Sequence, residues 1–187
     1  MKLYIKNAYV QAVPGFEVYD KFNKKLYSIP VKHSALGIKM DMYNFNSKRI
    51  SKIRQRGFAF NKTYSIYVDN KKVKLILKVE ESKVTALIKG CSFLFCGDII
   101  KKEFSILDEK KNIIMTQICK LNYYELNIIE EKFDVLCICI ALCIDTLLFI
   151  DKKDKEKNND FFIKSIFEDK KILGGLKETF LHESPEK

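Results

Sequence analysis

Phe133-Asp134-Val135-Leu136-Cys137-Ile138-Cys139-Ile140-Ala141-Leu142-Cys143-Ile144-Asp145-Thr146-Leu147-Leu148-Phe149-Ile150 is the stretch on which the fold turns. Only Asp134, Asp145 and Thr146 interrupt it. A helix apolar on every side must be buried in a large core or in lipid. As a membrane span, the stretch reaches the minimum length of about 18 residues. An aspartate in mid-span, however, costs about 2.5–3.5 kcal/mol on insertion scales. As a central helix it would fill the interior that a closed barrel must fill. The residues upstream favour the second reading, with the helix over 131–151.

Those upstream residues read as strands. Short β-branched and aromatic runs alternate with Asp, Asn and Lys turns. The pattern predicts strands near 2–9, 15–20, 25–32, 37–43, 48–55, 63–69, 72–79, 83–89, 92–100, 103–108, 112–120 and 123–129. Such even spacing argues for a barrel or sandwich rather than βαβ units. Four segments share one motif: Phe16-Glu17-Val18-Tyr19-Asp20, Met40-Asp41-Met42-Tyr43-Asn44, Tyr64-Ser65-Ile66-Tyr67-Val68-Asp69 and Phe104-Ser105-Ile106-Leu107-Asp108. Asp and Asn bond their own backbone and tolerate turn geometry, so each motif ends a strand and opens a tight reversal. The repeat describes a meander of hairpins and implies no chemistry by itself.

The charge is strongly basic, with 34 Lys/Arg against 24 Asp/Glu. All of the excess lies in residues 1–150, because residues 151–187 hold nine of each sign. A basic surface favours anionic partners. A solvated lysine-rich face kept for solubility explains the same composition. The six cysteines lack the paired spacing and nearby histidine of a zinc site. Cys137, Cys139 and Cys143 sit in the apolar stretch as small core residues. Met1-Lys2-Leu3-Tyr4-Ile5-Lys6 has no apolar h-region, so free thiols in a reducing cytosol are expected. Residues 152–160 read as a charged linker. A short amphipathic helix at 161–173 would follow, closed by Gly174-Gly175. The expected division is therefore a barrel domain over 1–151 and a tail over 152–187.

A run of hairpins ending in one apolar helix resembles the tubby-like C-terminal superfamily, and within it the LURP-one-related proteins, relatives of the phospholipid scramblases. The resemblance covers about residues 1–150 and implies a twelve-stranded barrel around a central helix. Phe133-Asp134-Val135 and Ile144-Asp145 are similar to the start and the later Asp of the scramblase C-terminal helix. Ser51-Lys52-Ile53-Arg54-Gln55-Arg56, followed by Thr63-Tyr64-Ser65-Ile66-Tyr67-Val68-Asp69-Asn70, resembles a tubby stretch whose Lys and Arg hold phosphoinositide head groups. By position these correspond to Lys52 and Arg54. The acidic calcium cluster of scramblases has no counterpart.

Lys52, Arg54 and Arg56 lie at i, i+2 and i+4, so a strand points all three to one face. Three cations on one face suit a phosphate-rich head group, with Arg supplying a planar fork of donors. A face kept basic against edge aggregation is the competing explanation. Asp134 and Asp145, the buried charges of the central helix, are expected to cap backbone at the barrel rim or to pair with an inward cation. A negative charge near the helix start is favourable.

No catalytic residues are assigned, since no GxSxG, phosphate loop, HExxH or EF-hand occurs. Neither a cofactor nor a metal is expected. Nucleic acid ranks below lipid, because the aromatics occupy inward repeat positions. The expected function is a non-catalytic module for anionic phospholipid, cytoplasmic and peripheral at a membrane. The alternatives are a scaffold that recruits a protein partner through 161–181, and an enzyme or scramblase-like protein.

Overall fold

The computed structural model describes residues 1–34, 37–56, 61–80 and 83–158. Twelve strands are formed: β1 (Lys2–Val10), β2 (Val13–Asp20), β3 (Lys25–Ser34), β4 (Gly37–Asn44), β5 (Arg49–Arg56), β6 (Asn61–Val68), β7 (Lys71–Glu80), β8 (Lys83–Lys89), β9 (Leu94–Asp98), β10 (Glu103–Leu107), β11 (Ile113–Cys119) and β12 (Tyr123–Ile128). A 3-10 turn, Glu131–Phe133, then leads into helix α1 (Asp134–Asn158). The strands make one antiparallel sheet ordered β8-β7-β6-β5-β4-β3-β2-β1-β12-β11-β10-β9. The first and last strands pair, with Leu3 opposite Leu126 and Ile5 opposite Tyr124. The two sheet edges, β8 and β9, are consecutive in sequence. Residues 90–93 carry the chain between them, so the barrel is nearly closed, with one seam.

Three of the repeated motifs become the same turn. Asp20 Oδ1 accepts from the backbone N–H of Phe22 and Lys24 at 2.8 and 2.9 Å. Asn44 Oδ1 accepts from Asn46 and Lys48 at 3.1 and 3.0 Å. Asp108 Oδ1 accepts from Asn112 at 2.8 Å. The fourth residue of each turn, Asn23, Ser47 or Lys111, has a left-handed φ of 59°, 57° or 66°. A bulge follows in each hairpin, where register shifts at Val18/Tyr19, Met42/Tyr43 and Ile106/Leu107. The turn itself is the three-residue loop with a left-handed last position, and the register shift is a further bulge that leaves Leu26, Ile50 and Ile114 opposite no residue of the partner strand. The fourth motif closes differently, by a two-residue turn with Asp69 and Asn70 both left-handed.

Period-two alternation sets the interior. Leu3, Ile5, Phe16, Val18, Ile29, Met40, Met42, Ile53, Ile66, Leu75 and Ile106 are all at most 2% exposed. Residues 137–146 of the helix are buried without exception. Their neighbours come from separate parts of the sheet. Asp134 meets Tyr27 of β3, Cys139 meets Ser51 of β5, Thr146 lies beside Tyr64 of β6, and Asp145 meets Tyr124 of β12. Contacts from so many directions place residues 134–146 of the helix along the barrel interior. Among the described residues, no helix is long and apolar enough to cross a membrane.

The helix departs from the sequence reading at both ends. It begins at Asp134 after the 3-10 turn and runs through Asn158, so residues 152–158, read as linker, are helical. Lys and Glu are good helix formers, and extending an existing helix avoids the cost of a new nucleus. High charge was therefore a poor sign of a break here. The chain divides into two compact units, Met1–Thr146 and Leu147–Lys187. The second is described only over 147–158. The tail helix expected at 161–173 and the partner segment 161–181 lie outside the described residues.

Candidate anion-binding face

The outer surface of the barrel is divided by charge. Strands β3–β8 hold fourteen Lys or Arg against two acids, Asp41 and Glu80. The other six strands hold two lysines, Lys2 and Lys6, against five acids, Glu17, Asp20, Asp98, Glu103 and Glu125. The whole basic excess of the strands thus belongs to one continuous half of the sheet.

Register aligns that excess. Lys32 stands opposite Lys39, Lys39 opposite Arg54, Arg54 opposite Ser65, Ser65 opposite Lys74, and Lys74 opposite Lys89. Five cations and one small hydroxyl form a row across six strands, about 24 Å long at the usual strand spacing of ~4.8 Å. Like charges directly opposite on a sheet are destabilising. Among the described residues, none of Lys32, Lys39, Lys74 and Lys89 is in an ion pair. A second row runs alongside: Asp41, Lys52, Tyr67 and Lys72. The ammonium groups of Lys52 and Lys72 each lie 5.6 Å from the centre of the Tyr67 ring.

The three cations singled out in the sequence share this face but differ in availability. Arg54 is committed. Its Nη2 bonds Asp41 Oδ1 at 2.8 Å, while Nη1 bonds the carbonyls of Ile53 and Met40 at 2.7 and 3.1 Å. Lys52 lies between Asp41 and Tyr67, and Arg56 is exposed at the strand end. Lys32, Lys39, Lys74 and Lys89 were not singled out. Each follows a buried apolar residue (Val31, Ile38, Val73 and Ile88) and so points outward by alternation. That signal was legible in each strand. Their alignment was not, because it depends on hairpin register.

The two helix aspartates take different roles. Asp134 is only half-buried, which corrects the expectation of a buried charge. It accepts from the Tyr27 hydroxyl at 3.0 Å and from the N–H of Val135 at 2.5 Å. Burial, then the Asp134 charge, pushes the Tyr27 hydroxyl up to about 12. Asp145 is 1% exposed. Its Oδ1 accepts from Lys102 Nζ and from the Tyr124 hydroxyl. Lys102 itself lies 2.7 Å from that hydroxyl. Lys102 reaches inward from the β9–β10 turn, where it has a left-handed φ of 59°. Burial and then the charge of Asp145 push the Tyr124 hydroxyl well above its ordinary value, so it stays a protonated donor. A buried carboxylate is tolerated only when paired and hydrogen-bonded. This cluster pairs the charge through Oδ1 at the far end of the barrel from Asp134, while Oδ2 has no partner among the described residues.

The helix thiols are packing groups. Burial pushes Cys137 and Cys139 up to about 12, so neither is a thiolate near neutral pH. Among the described residues, no group of three His, Cys, Asp or Glu side chains is placed to hold a metal.

No family model matches the chain. The uncharacterized protein YxjI of Bacillus subtilis (strain 168) is 24% identical over 159 residues, covering 82% of this chain and 98% of YxjI. A crystal structure of an Arabidopsis thaliana protein superposes with a TM-score of 0.52 at 11% identity, covering 78% of this chain and 91% of that one. At that identity the likeness is one of fold alone.

Proposed function

We propose that this chain is a tubby-like, LURP-one-related barrel that binds anionic phospholipid head groups at a cytoplasmic membrane surface and catalyses no reaction. The observation that carries the reading is the row Lys32–Lys39–Arg54–Ser65–Lys74–Lys89. Its mutual repulsion becomes attraction once a layer of phosphates lies against it. Each Lys or Arg near an anionic leaflet contributes about 1 kcal/mol, and the effect falls off within a Debye length. Lys52 and Arg56 extend the contact. Arg54, already held by Asp41, positions the row more than it reaches for a ligand.

Flotation with neutral, acidic and phosphoinositide-containing vesicles, at low and high salt, tests this. The expected result is salt-sensitive binding to acidic vesicles, strongest with phosphoinositide. Paired reversal, Lys39→Glu with Lys74→Glu, should lower the affinity by tenfold or more, taking about 1 kcal/mol per charge near the surface. Absence of flotation in every mixture would overturn the reading and leave the basic half as a solubility device.

A further inference from the structure

We infer that Phe22 and Phe45 are membrane-inserting fingertips at one edge of the basic wall, so that the barrel lies tilted on an anionic bilayer with that wall, and not its end alone, against the head groups. This rests on the membrane reading above and adds to it a contact site and an orientation. The two rings are 78% and 76% exposed. They contribute nothing to the interior, although Phe is normally among the most buried residues.

Turn geometry does not require them. The β2–β3, β4–β5 and β10–β11 loops share one backbone design, with an Asx residue first and a left-handed residue fourth. The corresponding tip of the third loop carries Glu109 and Lys110. Among these three loops, then, an aromatic tip is a choice made in two, and both belong to or border the basic half of the sheet. Their loops open on the same barrel end and stand two strand intervals apart, about 10 Å. Lys21 and Lys24 flank Phe22, and Lys48 follows Phe45. An exposed apolar ring with lysine in the same loop matches the boundary between acyl chains and anionic head groups. That complementarity selects a bilayer over an apolar pocket on a protein.

The chain has no tryptophan, so a single introduced one reports its own site. Phe22→Trp, Phe45→Trp and Leu121→Trp would each be mixed, as the full-length protein, with phosphatidylcholine–phosphatidylserine vesicles, with and without brominated acyl chains. Leu121, 98% exposed in the β11–β12 turn at the opposite end, is the control. The first two variants should show a blue shift and bromine quenching, and the third neither. Phe22→Ala with Phe45→Ala should cut vesicle affinity roughly tenfold, a loss that persists at high salt. Vesicle binding with reporters 22 and 45 still in water would overturn the inference and leave the membrane reading standing. So would a response at 121 alone. No flotation at all would remove both.

Discussion

The two halves of the barrel, β3–β8 and β9–β12 with β1–β2, have the same interior and opposite exteriors. Inside, both present alternating Ile, Leu, Val, Met and aromatic residues to one helix. Outside, the first is almost purely cationic. The second neutralises itself through Lys2–Glu125 at 2.7 Å and Lys25–Glu17 at 2.9 Å, the latter reaching from the first strand of the basic half. The inner faces answer to a single demand, covering the helix, and so converge. The outer faces answer to what each meets, and so diverge. The membrane contact proposed above rests on the first half, where Lys32, Lys39, Lys74 and Lys89 are in no ion pair among the described residues.

The halves also hold the helix differently. The neutral half uses charge: Lys102 and Tyr124 clamp Asp145. The basic half uses uncharged side chains of its own: Ser51 with Cys139 at 3.2 Å, the Tyr64 and Thr146 hydroxyls 3.4 Å apart, and the Tyr27 hydroxyl on Asp134 at 3.0 Å. Lys102→Met should therefore be the most damaging change, because it strands a buried carboxylate. A loss of about 3–5 kcal/mol is expected in urea unfolding. Ser51→Ala should cost about 1 kcal/mol. Equal effects would erase the distinction between the two attachments.

High pH probes both halves at once. Tyr27 and Tyr64 in the basic half and Tyr124 in the neutral half all titrate above their ordinary value of 10.0, chiefly through burial. A raised folded-state value means stability fully present below pH 10 and lost as pH rises through the folded values. Alkaline unfolding should begin above pH 10, and absorbance should show these three tyrosines ionising with unfolding rather than before it. Independent early titration of Tyr27 would mean that its bond to Asp134 does not persist in solution.

The smallest expected effect has opposite signs in the two halves. Lys74→Thr removes a cation from between Ser65 and Lys89 in the row and should raise stability by roughly 0.2–1 kcal/mol. Lys2→Thr removes the ion pair to Glu125 and should lower it slightly. Thermal unfolding of both variants at low salt measures the contrast, and it should shrink as salt is added. Same-sign shifts would mean that register repulsion is already screened.

Twelve strands were legible from period-two alternation between turn signals, and a buried helix from an all-round apolar run that had to be covered, with the strands upstream deciding for a protein core over lipid. The Asx turns were legible in the same way, since Asp20, Asn44 and Asp108 act on backbone only a few residues away. Lys52, Arg54 and Arg56 could be placed on one face from spacing alone. Their unequal freedom could not, because Asp41, which occupies Arg54, arrives from a neighbouring strand. Lys102 was invisible as the partner of Asp145: 43 residues separate them, and a lysine in a surface turn looks like any other.

The sequence by itself determined the strands, the turns, the outward lysines and the helix that must be covered, since each follows from contacts between near neighbours in the chain. Only the tertiary structure decided that those lysines line up across six strands, that Asp145 is neutralised by Lys102 of the β9–β10 turn, and that Phe22 and Phe45 share one end. Those are matters of register and closure. They are fixed when β1 meets β12 and the sheet curls around the helix, and no local pattern of residues encodes them.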